Sequence, residues 1–163
     1  MVEFETKYFG KVIVDISEGH GNTDFKYNNQ EINIFFSDYQ LYEDKLEKCL
    51  EIIDKYVEID KIAKKAIIES FPKNETIKYY FECHFDIFEE EQVLMEIFGV
   101  KNFQEMDIKK IVEQLKYPNL LFSLENNAIN VSVDYMVSKK YSDEILCVKI
   151  DEKLRIINFS HES

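Results

Sequence analysis

Apolar and polar positions alternate with a period of two near both ends of the chain and with a period near 3.6 in its middle. Val12, Val14 and Ile16 share one side of the stretch Lys11–Ile16. Asp24–Tyr27 and Glu31–Phe36 flank Asn28-Asn29, and in the second arm Ile32, Ile34 and Phe36 alternate with Asn33 and Phe35. This pattern predicts strands, with an asparagine pair able to take the positive φ of a tight turn. After Pro118, Leu120–Leu124 leads to the turn formers Glu125-Asn126-Asn127. Ile129, Val131, Val133 and Tyr135 then alternate with Asn130, Ser132 and Asp134, predicting a strand with one wet face. The chain closes on two apolar runs, Ile145–Ile150 and Leu154–Phe159, joined at Asp151-Glu152-Lys153 and followed by a polar tail. They are rich in β-branched residues and too short for a globular helix, so they read as a hairpin.

The middle is helical. Tyr42, Leu46, Cys49, Leu50, Ile53, Tyr56 and Val57 form one stripe. Asp60 is the expected cap of a second helix bearing Ile62, Ala63, Ala66 and Ile67, which Phe71-Pro72 ends. Asn74 is the expected cap of a third, with Ile77, Tyr80, Phe81, His84, Phe85 and Phe88 on its buried side. Gln92–Phe98 stops at Gly99, and a last helix opens at Asp107, where Met106 and Ile111 have the spacing of a hydrophobic staple. Strands, then helices, then strands imply an α+β fold. A mostly antiparallel sheet draws strands from the N- and C-terminal parts, and the central helices pack on one face. With 4 Gly and 2 Pro and no linker-like stretch, residues 1–163 read as a single domain.

Charge narrows the function classes. Net charge is −12, from 32 acids against 20 bases, and it is spread along the chain. Such a field repels phosphate backbones and argues against nucleic acid, while it favours a basic protein partner. The one arginine, Arg155, leaves little for bidentate phosphate clamps. No run approaches the length of a membrane span, and the N-terminus lacks a signal-peptide pattern. Cys49, Cys83 and Cys147 are odd in number, widely separated and without CxxC spacing, which suits buried thiols in a reducing compartment. A cytoplasmic protein is expected, with no metal and no cofactor implied by spacing.

His84 is the sharpest polar residue, sitting on an otherwise apolar stripe beside Cys83. It would serve as a general acid/base or ligand in an interior pocket, or else as a buried, neutral, hydrogen-bonded histidine. Ser160-His161-Glu162-Ser163 is no catalytic triad, because consecutive residues of an extended chain point to opposite faces. If ordered, His161 and Glu162 would dock on a sheet edge or a partner. Glu89-Glu90-Glu91 suits a helix N-terminus, and Gly19-His20-Gly21 a turn. Tyr79, Tyr117, Tyr135 and Tyr141 are candidates for a partner-facing surface. No G-x-G-x-x-G, P-loop, G-x-S-x-G or H-E-x-x-H occurs, nor a paired Glu-x-x-His set for di-iron.

Three stretches, Tyr8-Phe9-Gly10-Lys11-Val12, Tyr79-Tyr80-Phe81-Glu82-Cys83-His84, and Ser142-Asp143-Glu144-Ile145-Leu146 through His161-Glu162-Ser163, resemble a bacterial family, domain of unknown function two thousand and four. The resemblance implies one family domain over nearly the whole chain and assigns no catalytic residue. Together these features lead to a non-catalytic protein-binding module, by analogy an immunity-type inhibitor of a basic toxin or enzyme. The alternatives are a small-ligand binder or enzyme using His84, and a homo-oligomer built by edge-strand pairing.

Overall fold

The computed structural model describes residues 2–14, 21–27, 29–38 and 44–163. Strands β1 (Val2–Thr6) and β2 (Gly10–Val14) form an antiparallel hairpin. Strands β3 (Gly21–Tyr27), β4 (Gln30–Phe36), β5 (Lys116–Glu125), β6 (Ala128–Met136), β7 (Ile145–Asp151) and β8 (Ile156–Glu162) lie in that order in a six-stranded sheet. Between β4 and β5 run α1 (Leu46–Ile53), α2 (Tyr56–Ser70), α3 (Glu75–Ile87), α4 (Glu91–Ile97), a 3₁₀ turn (Phe103–Glu105) and α5 (Ile108–Gln114). The fold is α+β, as the sequence predicts.

All pairings in the larger sheet are antiparallel except β4–β5, which is parallel. Parallel neighbours need a long crossover, and here the crossover carries the helices. It returns them to one face of the sheet, where Ile32, Ile34, Phe36, Leu120, Phe122, Ile129, Val131, Val133, Tyr135, Leu146, Val148 and Ile150 are buried. Ile34 pairs with Leu120 and Phe36 with Phe122, whose rings stack at 5.2 Å. Each such aliphatic or aromatic side chain contributes about 1.5–3 kcal/mol by leaving water.

Local signals set several boundaries. The Asn74 side chain accepts from the Ile77 N–H at 3.0 Å, and that of Asp107 from the Lys110 N–H at 3.2 Å, so both predicted caps hold their helices. Gly99 ends α4 with φ +70°. Asn126 and Asn127 turn β5 into β6 with φ of 51° and 62°, the primed turn that matches strand twist.

Four expectations change. The stripe from Leu46 to Val57 is not one helix: it breaks at Asp54-Lys55, where the Asp54 carboxylate accepts the Lys7 N–H of the first hairpin at 2.7 Å. Asp60 caps nothing. It lies within α2, where its carboxylate accepts from the Tyr135 hydroxyl and pairs with Lys64. The face of β6 predicted to be wet is half-closed, with Asn130 buried and Ser132 and Asp134 partly so, because β5 and β7 flank it on both sides. The closing hairpin extends beyond Phe159 into the polar tail, since Ser160, His161 and Glu162 continue β8 and pair with Cys147, Leu146 and Ile145. Ile16, Gly19, His20, Asn28 and Tyr42 lie outside the described residues.

Candidate functional site

Helix α3 crosses β7 and β8 and presents a polar group to them. Its stripe places Tyr80, Phe81 and His84 against the sheet, as the sequence spacing requires, and Cys83 beside them. His84 is fully buried. Its Nδ1 lies 2.7 Å from the Tyr80 carbonyl, so Nδ1 carries the proton and donates it. Nε2 is then the acceptor, 2.9 Å from the Ser142 hydroxyl. Burial pushes the His84 pKa down, against the opposing pull of the Tyr80 carbonyl and Glu144, and holds the ring neutral. Both nitrogens are therefore hydrogen-bonded within the fold.

Ser142 also accepts the Glu144 N–H at 3.1 Å, so one hydroxyl fixes both α3 and the start of β7. The Tyr80 hydroxyl accepts the Val137 N–H at 3.1 Å and faces the carbonyls of Tyr135 and Glu144. The connection from β6 to β7 is thus anchored at Tyr80 and His84. On the outer side of these anchors the Glu144 carboxylate meets the His161 imidazole of β8, each side chain 15% exposed. Tyr79 and Tyr80 both pack their rings 5.5 Å from His161. The Cys83 thiol donates to the Tyr80 carbonyl at 3.1 Å. Burial first, then the Glu144 and Asp86 carboxylates, push this thiol up to about 11. Among the described residues, Cys83, Glu144 and His161 are the one group of three potential metal-ligating residues whose donor atoms all lie within 4.8 Å of one another.

The same connection carries Tyr141 to a second place. Where α3 gives way to α4, Ile87, Phe88, Val93 and Tyr141 line a hollow of about 430 Å³ bordered by Glu89, Glu90, Gln92 and Glu96. Phe88 joins the two regions, its ring 5.4 Å from His84 and 6.3 Å from Tyr141. Tyr141 donates to Glu96 at 3.1 Å and accepts from Lys140, which fixes that wall. Glu89 and Glu90 have no ion-pair partner among the described residues, and Ile87 is 45% exposed. A smaller hollow of about 200 Å³ lies on the other side of Glu96, against Ile111, Leu115 and Lys116.

The sequence candidates divide accordingly. Tyr141 lies at the acidic hollow and His161 at the thiol–carboxylate cluster. Glu162 is exposed at the end of β8. Tyr135 cannot belong to a partner surface: it is fully buried, its hydroxyl donating to the Asp60 carboxylate at 2.7 Å. Its place among Ile129, Val131 and Val133 on one side of β6 was the available signal. Ser142, Glu144 and Glu96 were missed, since nothing local links them to α3 or α4. Glu89-Glu90-Glu91 does precede a helix, but only Glu91 enters its first turn, where it pairs with Lys101. No family model, curated protein or solved structure matches the chain. Among the described residues no helix is long and apolar enough to cross a membrane.

Proposed function

We propose that the protein is a non-catalytic cytoplasmic binding module for a basic protein, of the kind that inhibits a toxin or enzyme by occupying its cationic surface. The observation that carries this reading is the hollow at the α3–α4 junction. Its apolar floor of Ile87, Phe88 and Val93 accommodates the stem of a long cationic side chain, and Glu89, Glu90 and Glu96 stand where its charge would rest. Net charge of −12 adds long-range attraction for such a partner. The burial of His84 supports the non-catalytic half of the reading, since its ring faces the fold's own Tyr80 and Ser142 and not solvent.

Salt-graded capture tests the proposal. The tagged chain is mixed with a lysate of its source bacterium at low and moderate salt, and bound proteins are read by mass spectrometry. The expected result is one dominant basic protein, released as salt rises and lost when Glu89 and Glu90 are both changed to Gln. A partner that survives both changes would refute the assignment of the hollow, and a chain that captures nothing would refute the module.

A further inference from the structure

We propose that Cys83, Glu144 and His161 form a binding site for a divalent transition-metal ion of the Zn²⁺ class. The inference is independent of the partner reading, because it uses none of the residues of the acidic hollow. A thiolate, an imidazole and a carboxylate are the three side-chain donors Zn²⁺ takes, and three protein donors leave a coordination position for water. They come from three places in the chain: Cys83 from α3, Glu144 from the connection just before β7 and His161 from β8. Their ligand atoms lie within 4.8 Å of one another, so small side-chain adjustments bring them to a common centre. Unlike a surface acidic cluster, the group is largely dry, with Cys83 buried and both other side chains 15% exposed.

The surroundings are prepared for the exchange. The Glu144 and Asp86 carboxylates both act on Cys83, and their field favours a cation at that point. On binding, Cys83 gives up its thiol proton to solvent and its hydrogen bond to the Tyr80 carbonyl. That carbonyl keeps the Nδ1–H of His84, so no buried acceptor is orphaned. The His161–Glu144 hydrogen bond opens to admit the ion, which takes the place of the proton between them. His161 lies on the edge strand β8, which is paired on one side alone. The Glu144 backbone N–H stays on Ser142, which holds that ligand in position. A bound ion would clamp the edge hairpin β7–β8 to α3.

The test uses the full chain stripped of metal with a chelator, then titrated with Co²⁺ and afterwards with Zn²⁺. The expected result is a one-to-one Co²⁺ complex showing thiolate-to-metal charge transfer in the near ultraviolet, displaced by Zn²⁺ and accompanied by a rise in Tm. Cys83→Ser abolishes the charge-transfer band, whereas Cys49→Ser and Cys147→Ser retain it. His161→Ala and Glu144→Ala each weaken binding by roughly tenfold or more, since even groups that merely orient a ligand are worth that much. Wild-type protein without the band, or a band that survives Cys83→Ser, overturns the site. Should Cys83→Ser not fold, alkylation mapped by peptide decides on the wild type: Zn²⁺ slows modification of Cys83 and not of Cys147, and equal rates with and without Zn²⁺ overturn the proposal.

Discussion

Ser142 Oγ lies 2.9 Å from His84 Nε2, a contact across 58 residues of sequence that fastens the β6–β7 connection to the last turn of α3. Because the imidazole is buried and neutral, the hydroxyl is the donor and the ring its acceptor. Ser142→Ala therefore leaves a buried acceptor unpaired and also frees the Glu144 N–H. The expected loss is about 1–3 kcal/mol in chemical denaturation. A variant as stable as the wild type would show that the contact does not hold the connection in place.

Tyr135→Phe separates the buried tyrosine from the partner-facing one. Removing the hydroxyl deprives Asp60 of a donor at 2.7 Å, with an expected cost of about 1–3 kcal/mol. Affinity for a basic partner is expected to stay unchanged. Tyr141→Phe, by contrast, releases Glu96 at the hollow and is expected to weaken binding while sparing stability. If the two variants exchanged these effects, the placement of the partner surface would be wrong.

Asp134 gives the chain a pH dependence of its own. Burial pushes its carboxyl up to about 6, with the Cys147 thiol opposing the shift and the Glu162 carboxylate adding to it. Asn119 faces it from β5 and Cys147 from β7. The native state holds its proton more tightly than the unfolded chain, so this contribution to stability is fully present below pH about 4. It is lost as pH rises through about 6. Asp134→Asn is expected to raise stability at pH 8, by about 3 kcal/mol at most, and to leave it nearly unchanged near pH 4. Thermal melts of both proteins across that range check the sign, and a benefit confined to acid pH would contradict it.

Most of what the sequence revealed was local. The caps at Asn74 and Asp107, the stop at Gly99 and the Asn126-Asn127 turn each depend on a few neighbouring residues, and the stripe of α3 depends on period alone. The break at Asp54-Lys55 was hidden because the apolar stripe continues through it, and the hydrogen bond that Asp54 accepts there comes from Lys7, far away in sequence. Asp60 looked like a cap because its true partner, Tyr135, lies on another element. The site suffered most from this limit. Periodicity says which face His84 and Cys83 occupy, but not that Ser142, Glu144 and His161 will meet them there, since pairing register and the crossover set those distances.

The role of the acidic hollow is tested most directly by the affinity of the captured basic partner for wild-type protein and for the Glu89→Gln/Glu90→Gln variant, measured by calorimetry across a salt series. Both carboxylates border the hollow without an internal ion pair among the described residues. The expected loss is about 1 kcal/mol per carboxylate, roughly fivefold each, together with a shallower salt dependence. Equal affinities and equal salt slopes for the two proteins would contradict it.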